Sequence, residues 1–190
     1  MKNFFFIALL SVTACFNCAV GENAVVEGYA IPGFVTSPYF GEQVMAYDYA
    51  PGVKVEINAP SVEEFDPSLP TGLVLYALPD GNSTDWTIGK KEDAGGNWHY
   101  QIQHIGAQTR FVRSRKPGFN LVTVYLEAEQ RSWGAWRKVN MPGSDNMIKE
   151  LTESLLRIFD GLNPYIVLVI VAEVISFSVS LTQLMRFLPM

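Results

Sequence analysis

Leu73-Val74-Leu75-Tyr76-Ala77-Leu78-Pro79-Asp80-Gly81-Asn82 is the stretch on which the fold turns. An unbroken apolar run meets a Pro-Asp-Gly-Asn turn. So short and continuous a run predicts a strand buried on both faces, at home in a parallel sheet. The carboxyl end of such a strand is where α/β proteins place ligand chemistry.

Moving toward the C-terminus, residues Pro79 to Gly96 are polar and broken by Asp80-Gly81 and Gly95-Gly96. A helix is expected from Asn97 or Trp98 to about Arg113, with Ile102, Ile105, Phe111 and Val112 as its apolar stripe. Lys116-Pro117-Gly118 ends it. Leu121 to Leu126 reads as a second buried strand, and Arg131 to Lys138, carrying Trp133 and Trp136, as a loop. Ser144 or Asp145 is placed to cap a further helix through a side-chain oxygen. Ile148, Leu151, Leu155 and Phe159 follow at helical spacing, and Gly161-Leu162-Asn163-Pro164 stops them. Tyr165 to Leu168 opens another apolar run.

Toward the N-terminus, Val44 to Tyr49 and Val53 to Ile57 form two strands across Ala50-Pro51-Gly52. Lys54 and Glu56 alternate with valine and isoleucine, so one face is wet, as at an antiparallel edge. Val25 to Glu42 reads as turns and short strands, and Asn58 to Thr71 as a surface loop. The fold class that results is α/β: antiparallel strands first, then parallel strands joined by right-handed crossover helices.

The 190 residues suffice for one domain. A net charge of -5 and a pI of about 5.0 leave no basic face for nucleic acid, so no such partner is expected. Both cysteines, Cys15 and Cys18, precede the domain, which is therefore expected to hold no disulfide and no thiolate metal site. Residues 1–21 have the form of an export signal: Lys2, an apolar core from Phe4 to Val12, then small residues. Val12-Thr13-Ala14-Cys15 resembles a lipobox, which makes Cys15 a lipidation candidate and gives membrane attachment through an N-terminal lipid. The other cleavage point follows Ala19-Val20-Gly21 and releases the chain. The expected location is exported: periplasmic, outer-membrane lipoprotein or extracellular.

Three segments together carry a resemblance: Leu73 to Asn82, Tyr100 to Phe111, and Val124 to Ala128 with Ser132 to Arg137. They resemble a group of exported α/β-hydrolase-like proteins of bacteria, over roughly Val53 to Leu168. The resemblance implies an incomplete α/β-hydrolase-like sheet within residues 22–168. It also implies acyl transfer on an ester or related substrate, without a cofactor, by a Ser activated by a His and oriented by an acid. In that fold a G-x-S-x-G turn presents the Ser. Oxyanion N–H groups come from the residue after it and from the loop after an earlier strand. That loop is here Leu78 to Asn82, and Asp80, Gly81 and Asn82 are the oxyanion candidates. The other reading of the same residues is a plain turn.

No G-x-S-x-G occurs in the sequence, so no catalytic residue is assigned. Val169 to Val174 has codons that, read one base earlier, permit Gly-His-Ser-Gly-Gly-Gly right after the Tyr165–Leu168 strand. One expectation is therefore that 169–190 is an out-of-frame peptide. The other is a hydrophobic segment from Tyr165 to Leu181, against which Glu173 speaks because a carboxylate in lipid is costly. A truncated sheet would leave Leu73–Leu78 and Leu121–Leu126 without neighbours and the chain prone to aggregate.

The remaining candidates are weaker. His99 and His104 lie five positions apart and do not share a helix face, so no metal is expected there. Glu63, Glu64 and Asp66 read as a solvated cluster. Asn82-Ser83-Thr84 matches a glycosylation acceptor. Trp86, Trp98, Trp133 and Trp136 supply the rival class, an exported, membrane-anchored carbohydrate- or ligand-binding domain.

Overall fold

The computed structural model describes residues 28–49, 51–88 and 105–171, the side chains of Trp86 and of 168–171 excepted. The expected export signal with Cys15, both histidines, Trp98 and residues 172–190 lie outside them. Six strands form one mixed sheet: β1 (Val35–Thr36), β2 (Glu42–Tyr49), β3 (Val53–Ser61), β4 (Thr71–Ala77), β5 (Asn120–Ala128) and β6 (Pro164–Val171). Their spatial order is β1-β2-β3-β5-β4-β6. The first three pair antiparallel, β3 pairs antiparallel with β5, and β4 runs parallel to both β5 and β6. This is the α/β arrangement the sequence predicts, antiparallel strands first and parallel strands after.

Leu73, Leu75, Val122 and Val124 are almost wholly buried on one face of the sheet, and Tyr76 and Tyr125 on the other, because helices cover both sides. Fully burying such a side chain contributes about 1.5–3 kcal/mol. On one face lie α1 (Thr84–Ile88) and α2 (Ile105–Ser114), where Ile88 and Ile105 meet Tyr76 and Tyr125. On the other lie α3 (Trp133–Val139) and α4 (Ser144–Ile158). There Ile148, Leu151, Leu155 and Phe159, the stripe expected from their spacing, join the main core. The connection from β4 to β5 runs one way over the first face, and that from β5 to β6 returns past β4 over the second. Reversing both direction and face preserves the hand of the crossover.

Several expectations are corrected. Strand β3 runs on to Ser61 and sits inside the sheet between β2 and β5, not at its edge. Strands β4 and β5, the Leu73 and Leu121 runs, each have neighbours on both sides, so neither is a bare edge. The tryptophan segment is a helix, not a loop: Ser132 caps α3, its Oγ accepting from the Ala135 amide at 3.2 Å. Neither Ser144 nor Asp145 caps α4. Gly143 occupies the cap without a side-chain bond, and Ser144 is the first helical residue, buried. Strand β6 carries through Leu168 to Val171, with Val169, Ile170 and Val171 paired to Leu75, Tyr76 and Ala77.

The largest departure is α2, which buries its polar side. Gly106 and Thr109 face the sheet, while Phe111 and Val112, expected in its stripe, are exposed. The reason is what the helix meets. Thr109 shares a 2.9 Å hydroxyl bond with Thr123. The two Glu42 carboxylate oxygens accept from Arg110 Nε and Nη2 at 2.9 and 2.8 Å, from Arg113 Nη1 at 2.9 Å and from Asn58 Nδ2 at 2.8 Å. Arg113 also donates to the Asn58 side chain and to the carbonyls of Asn58 and Leu121. Burial pulls the Arg113 pKa down from 12.5 to about 10, with the Glu42 carboxylate pulling the other way. Gly106 permits the close approach: a Cβ there would stand 2.0 Å from the Ile88 carbonyl oxygen.

Candidate functional site

Three parallel strands end on one side of the sheet. The order reverses at β4, whose two neighbours are reached by connections over opposite faces. A crevice at such a switch point is the usual ligand position in an open α/β sheet. The loop leaving β4 holds Asp80, Gly81 and Asn82 there. Asn82 N–H closes a turn on the Pro79 carbonyl at 3.1 Å, and Gly81, at φ +82°, supplies the left-handed residue the turn requires. Gly81 N–H donates to the Arg131 carbonyl at 2.9 Å. Two of the three candidate amides are thus engaged within the protein. No described residue accepts from the Asp80 amide. The Asp80 carboxylate accepts from Ser132 Oγ at 3.1 Å.

The loop leaving β5 is fastened to this one. Gln130 and Arg131 both take left-handed backbone, at φ 58° and 53°. Non-glycine residues in that region cost on the order of 1–3 kcal/mol each and persist only where surrounding structure holds them. Here they turn the chain so that the Arg131 carbonyl meets Gly81 and Ser132 starts α3. Glu127, nearly buried at the end of β5, accepts from Thr84 N–H at 2.8 Å and Thr84 Oγ1 at 3.0 Å, fixing the start of α1.

Beside these loops lies a charged cleft. Asp48, Lys54 and Glu127 are cross-strand partners in one row over β2, β3 and β5. A cavity of about 530 Å³ opens next to them, bounded also by Glu56, Thr84 and Arg131. A second, of about 660 Å³, extends past Tyr49 and Gln130. Lys54 Nζ stands 4.0 Å from Glu127 Oε1, with the lysine 70% exposed. Such a cleft can exchange hydrogen bonds with a polar ligand. Among the described residues there is no Cys or His, and no three carboxylates converge as a metal cradle. Sequence reading missed this row. Its one signal was Glu127, the lone acid closing an otherwise apolar strand.

The other candidates fall elsewhere. Trp133 and Trp136 are buried, edge to face at 5.4 Å, and Trp136 Nε1 donates to the Pro51 carbonyl at 2.6 Å. They hold the β2–β3 turn onto α3 and line no surface. Glu63, Glu64 and Asp66 are exposed. Hydrogen bonds from the Ser68 hydroxyl and amide lower the Asp66 pKa. Comparison of the chain with family models, with curated proteins and with solved structures finds no match.

Proposed function

We propose that the chain is built on the front half of an exported α/β-hydrolase-like scaffold whose activity is acyl transfer on an ester-type substrate. The single observation that carries this reading is the adjacency of β4 and β6 in parallel. An oxyanion hole needs one N–H from the loop after the earlier strand and one from the turn after the nucleophile strand. Both can reach one oxygen only if those strands run side by side in the same direction. The loop after β4 contributes the Asp80 amide. The nucleophile turn belongs at the carboxyl end of β6, and the shifted frame permits Gly-His-Ser-Gly over residues 169–172, in place of the last three residues of that strand. The Asp80 carboxylate next to that amide disfavours a developing oxyanion, a departure from an ordinary hole.

The 190-residue chain contains no nucleophile elbow, so it is expected to hydrolyse p-nitrophenyl acetate no faster than a blank. A chain rebuilt with one base inserted at codon 168 is the companion test. Turnover by the first chain, or gene codons that cannot spell the elbow in the shifted frame, overturns the reading.

The charged cleft favours a second reading, an exported binding domain for a polar ligand such as a carbohydrate. Trp133 and Trp136 are buried and so do not serve that reading, and Asp48, Lys54 and Glu127 are the groups it would use to bind hydroxyl groups. Calorimetric titration with soluble oligosaccharides tests it. Heat that disappears in Asp48→Ala supports binding at the cleft, and no heat from any oligosaccharide rejects it.

A further inference from the structure

Helix α2 is turned inside out for a helix that lies on a sheet. Its inward side is glycine, threonine and paired arginine, and its outward side carries Phe111, 59% exposed, next to Val112. Amphipathic helices ordinarily bury the apolar side. Exposed apolar residues gathered in one place, unlike scattered ones, mark a contact surface. More of them gather here. Phe40, 44% exposed, lies beneath the Arg110 guanidinium at 3.5 Å, and Arg115 lies over the Phe111 ring at 4.7 Å. Val35, 67% exposed, is paired with Val44, and the strand alternation puts both on the α2 side of the sheet.

Charge decides what covers this surface. The segment Arg110-Phe111-Val112-Arg113-Ser114-Arg115-Lys116 holds four of the 14 Lys and Arg in a chain of net charge -5. Glu42 binds Arg110 and Arg113 inward. Arg115 and Lys116 are exposed at the rim of the apolar patch. Aromatic rings bordered by cations are the composition of surfaces that lie in the interfacial layer of an anionic bilayer. We propose that this face, Val35, Phe40 and Phe111 with Arg115 and Lys116, rests on an anionic lipid surface. The proposal rests on the export reading only for bringing the protein to a bilayer.

The test uses the full chain carrying Cys15→Ala, so that no N-terminal lipid is attached. Partition is measured onto phosphatidylcholine vesicles with and without phosphatidylglycerol. R115Q/K116Q is expected to lower binding to the anionic vesicles about thirtyfold, at roughly fivefold for each cation removed. Phe111→Ser lowers binding to both vesicle types. V139S/M141S, which alters exposed apolar residues elsewhere on the surface, changes neither. Phe111, Arg115, Lys116, Val139 and Met141 are all exposed, and near-ultraviolet circular dichroism verifies that each variant is folded. Equal partition of parent, R115Q/K116Q and Phe111→Ser overturns the proposal. So does displacement of the parent from anionic vesicles by single-stranded DNA, which would make the face a nucleic-acid surface. Mass spectrometry of the exported chain's N-terminus reads the export hypothesis separately, so the two failures are distinguishable.

Discussion

Glu42 is the residue on which the placement of α2 depends. It is one carboxylate for two arginines, and all three side chains are largely removed from water. A buried pair is weak evidence for net stability, yet removing one partner leaves charge stranded. Glu42→Ala is therefore expected to destabilise the fold by about 3–5 kcal/mol, read as a lowered urea midpoint, while replacing the more buried arginine as well, Arg113→Met with Glu42→Met, recovers part of the loss. Nothing in the sequence marks Glu42 for this role, since its partners lie 68 and 71 positions away. Gly106 is as specific. A methyl group 2.0 Å from the Ile88 carbonyl has no room, so Gly106→Ala must push α2 away from α1. Overpacking of this kind costs about 1–3 kcal/mol, against the few tenths to 1 kcal/mol that alanine gains elsewhere in a helix. A thermal midpoint above the parent's would show that the two elements are not held in this contact.

Elements were legible where a single force made them. Strands β4 and β5 are unbroken apolar runs, and burial on both faces leaves such runs no other place. Helix α4 has a strict stripe. Helix α3 was unreadable because it is seven residues long and its two tryptophans, three apart, look the same in a loop as in a helix. Its start is set by Ser132, whose hydroxyl both caps the helix and reaches Asp80. Ser132→Ala is expected to cost about 1 kcal/mol of global stability. It should also quicken amide exchange at Ala135 while that of Leu151 in α4 stays at the global rate; equal changes at both would show that the cap is not local. Helix α2 was misread for a different reason. Periodicity assumes an apolar partner, and the surface α2 covers is polar. The cleft row was illegible because Asp48, Lys54 and Glu127 come together only through strand register, which no local pattern announces.

At the scale of the molecule the sheet order distributes risk. Strands β4 and β5 are interior, and the edge liability falls on β6, whose Tyr165–Val171 run is wholly apolar and which among the described residues pairs only with β4. Burial of tyrosine rings on both faces of the sheet fixes how the molecule responds to alkali. Burial raises the pKa of Tyr47, Tyr76 and Tyr125 above the ordinary 10.0, and for Tyr125 the Arg113 charge offsets only part of the rise. Above about pH 10 the unfolded chain sheds those phenolic protons and the folded chain keeps them. The native state then binds more protons than the unfolded state, and stability falls as pH rises. Arg113 acts in the opposite sense over the same range, because its folded pKa is lowered to about 10 and the native state releases that proton first. With Tyr165, which burial also raises, four raised tyrosines against one lowered arginine leave a net loss. The melting temperature is therefore expected to be flat from neutral pH to about pH 9 and to decline steeply above about pH 10. Tyrosinate absorbance of the buried rings should rise only together with unfolding. Tyr125→Phe removes a titrating phenol and keeps the ring against Tyr76, so it should shift the decline to higher pH. A decline in that variant at the parent's pH would place the alkaline sensitivity outside the buried tyrosines.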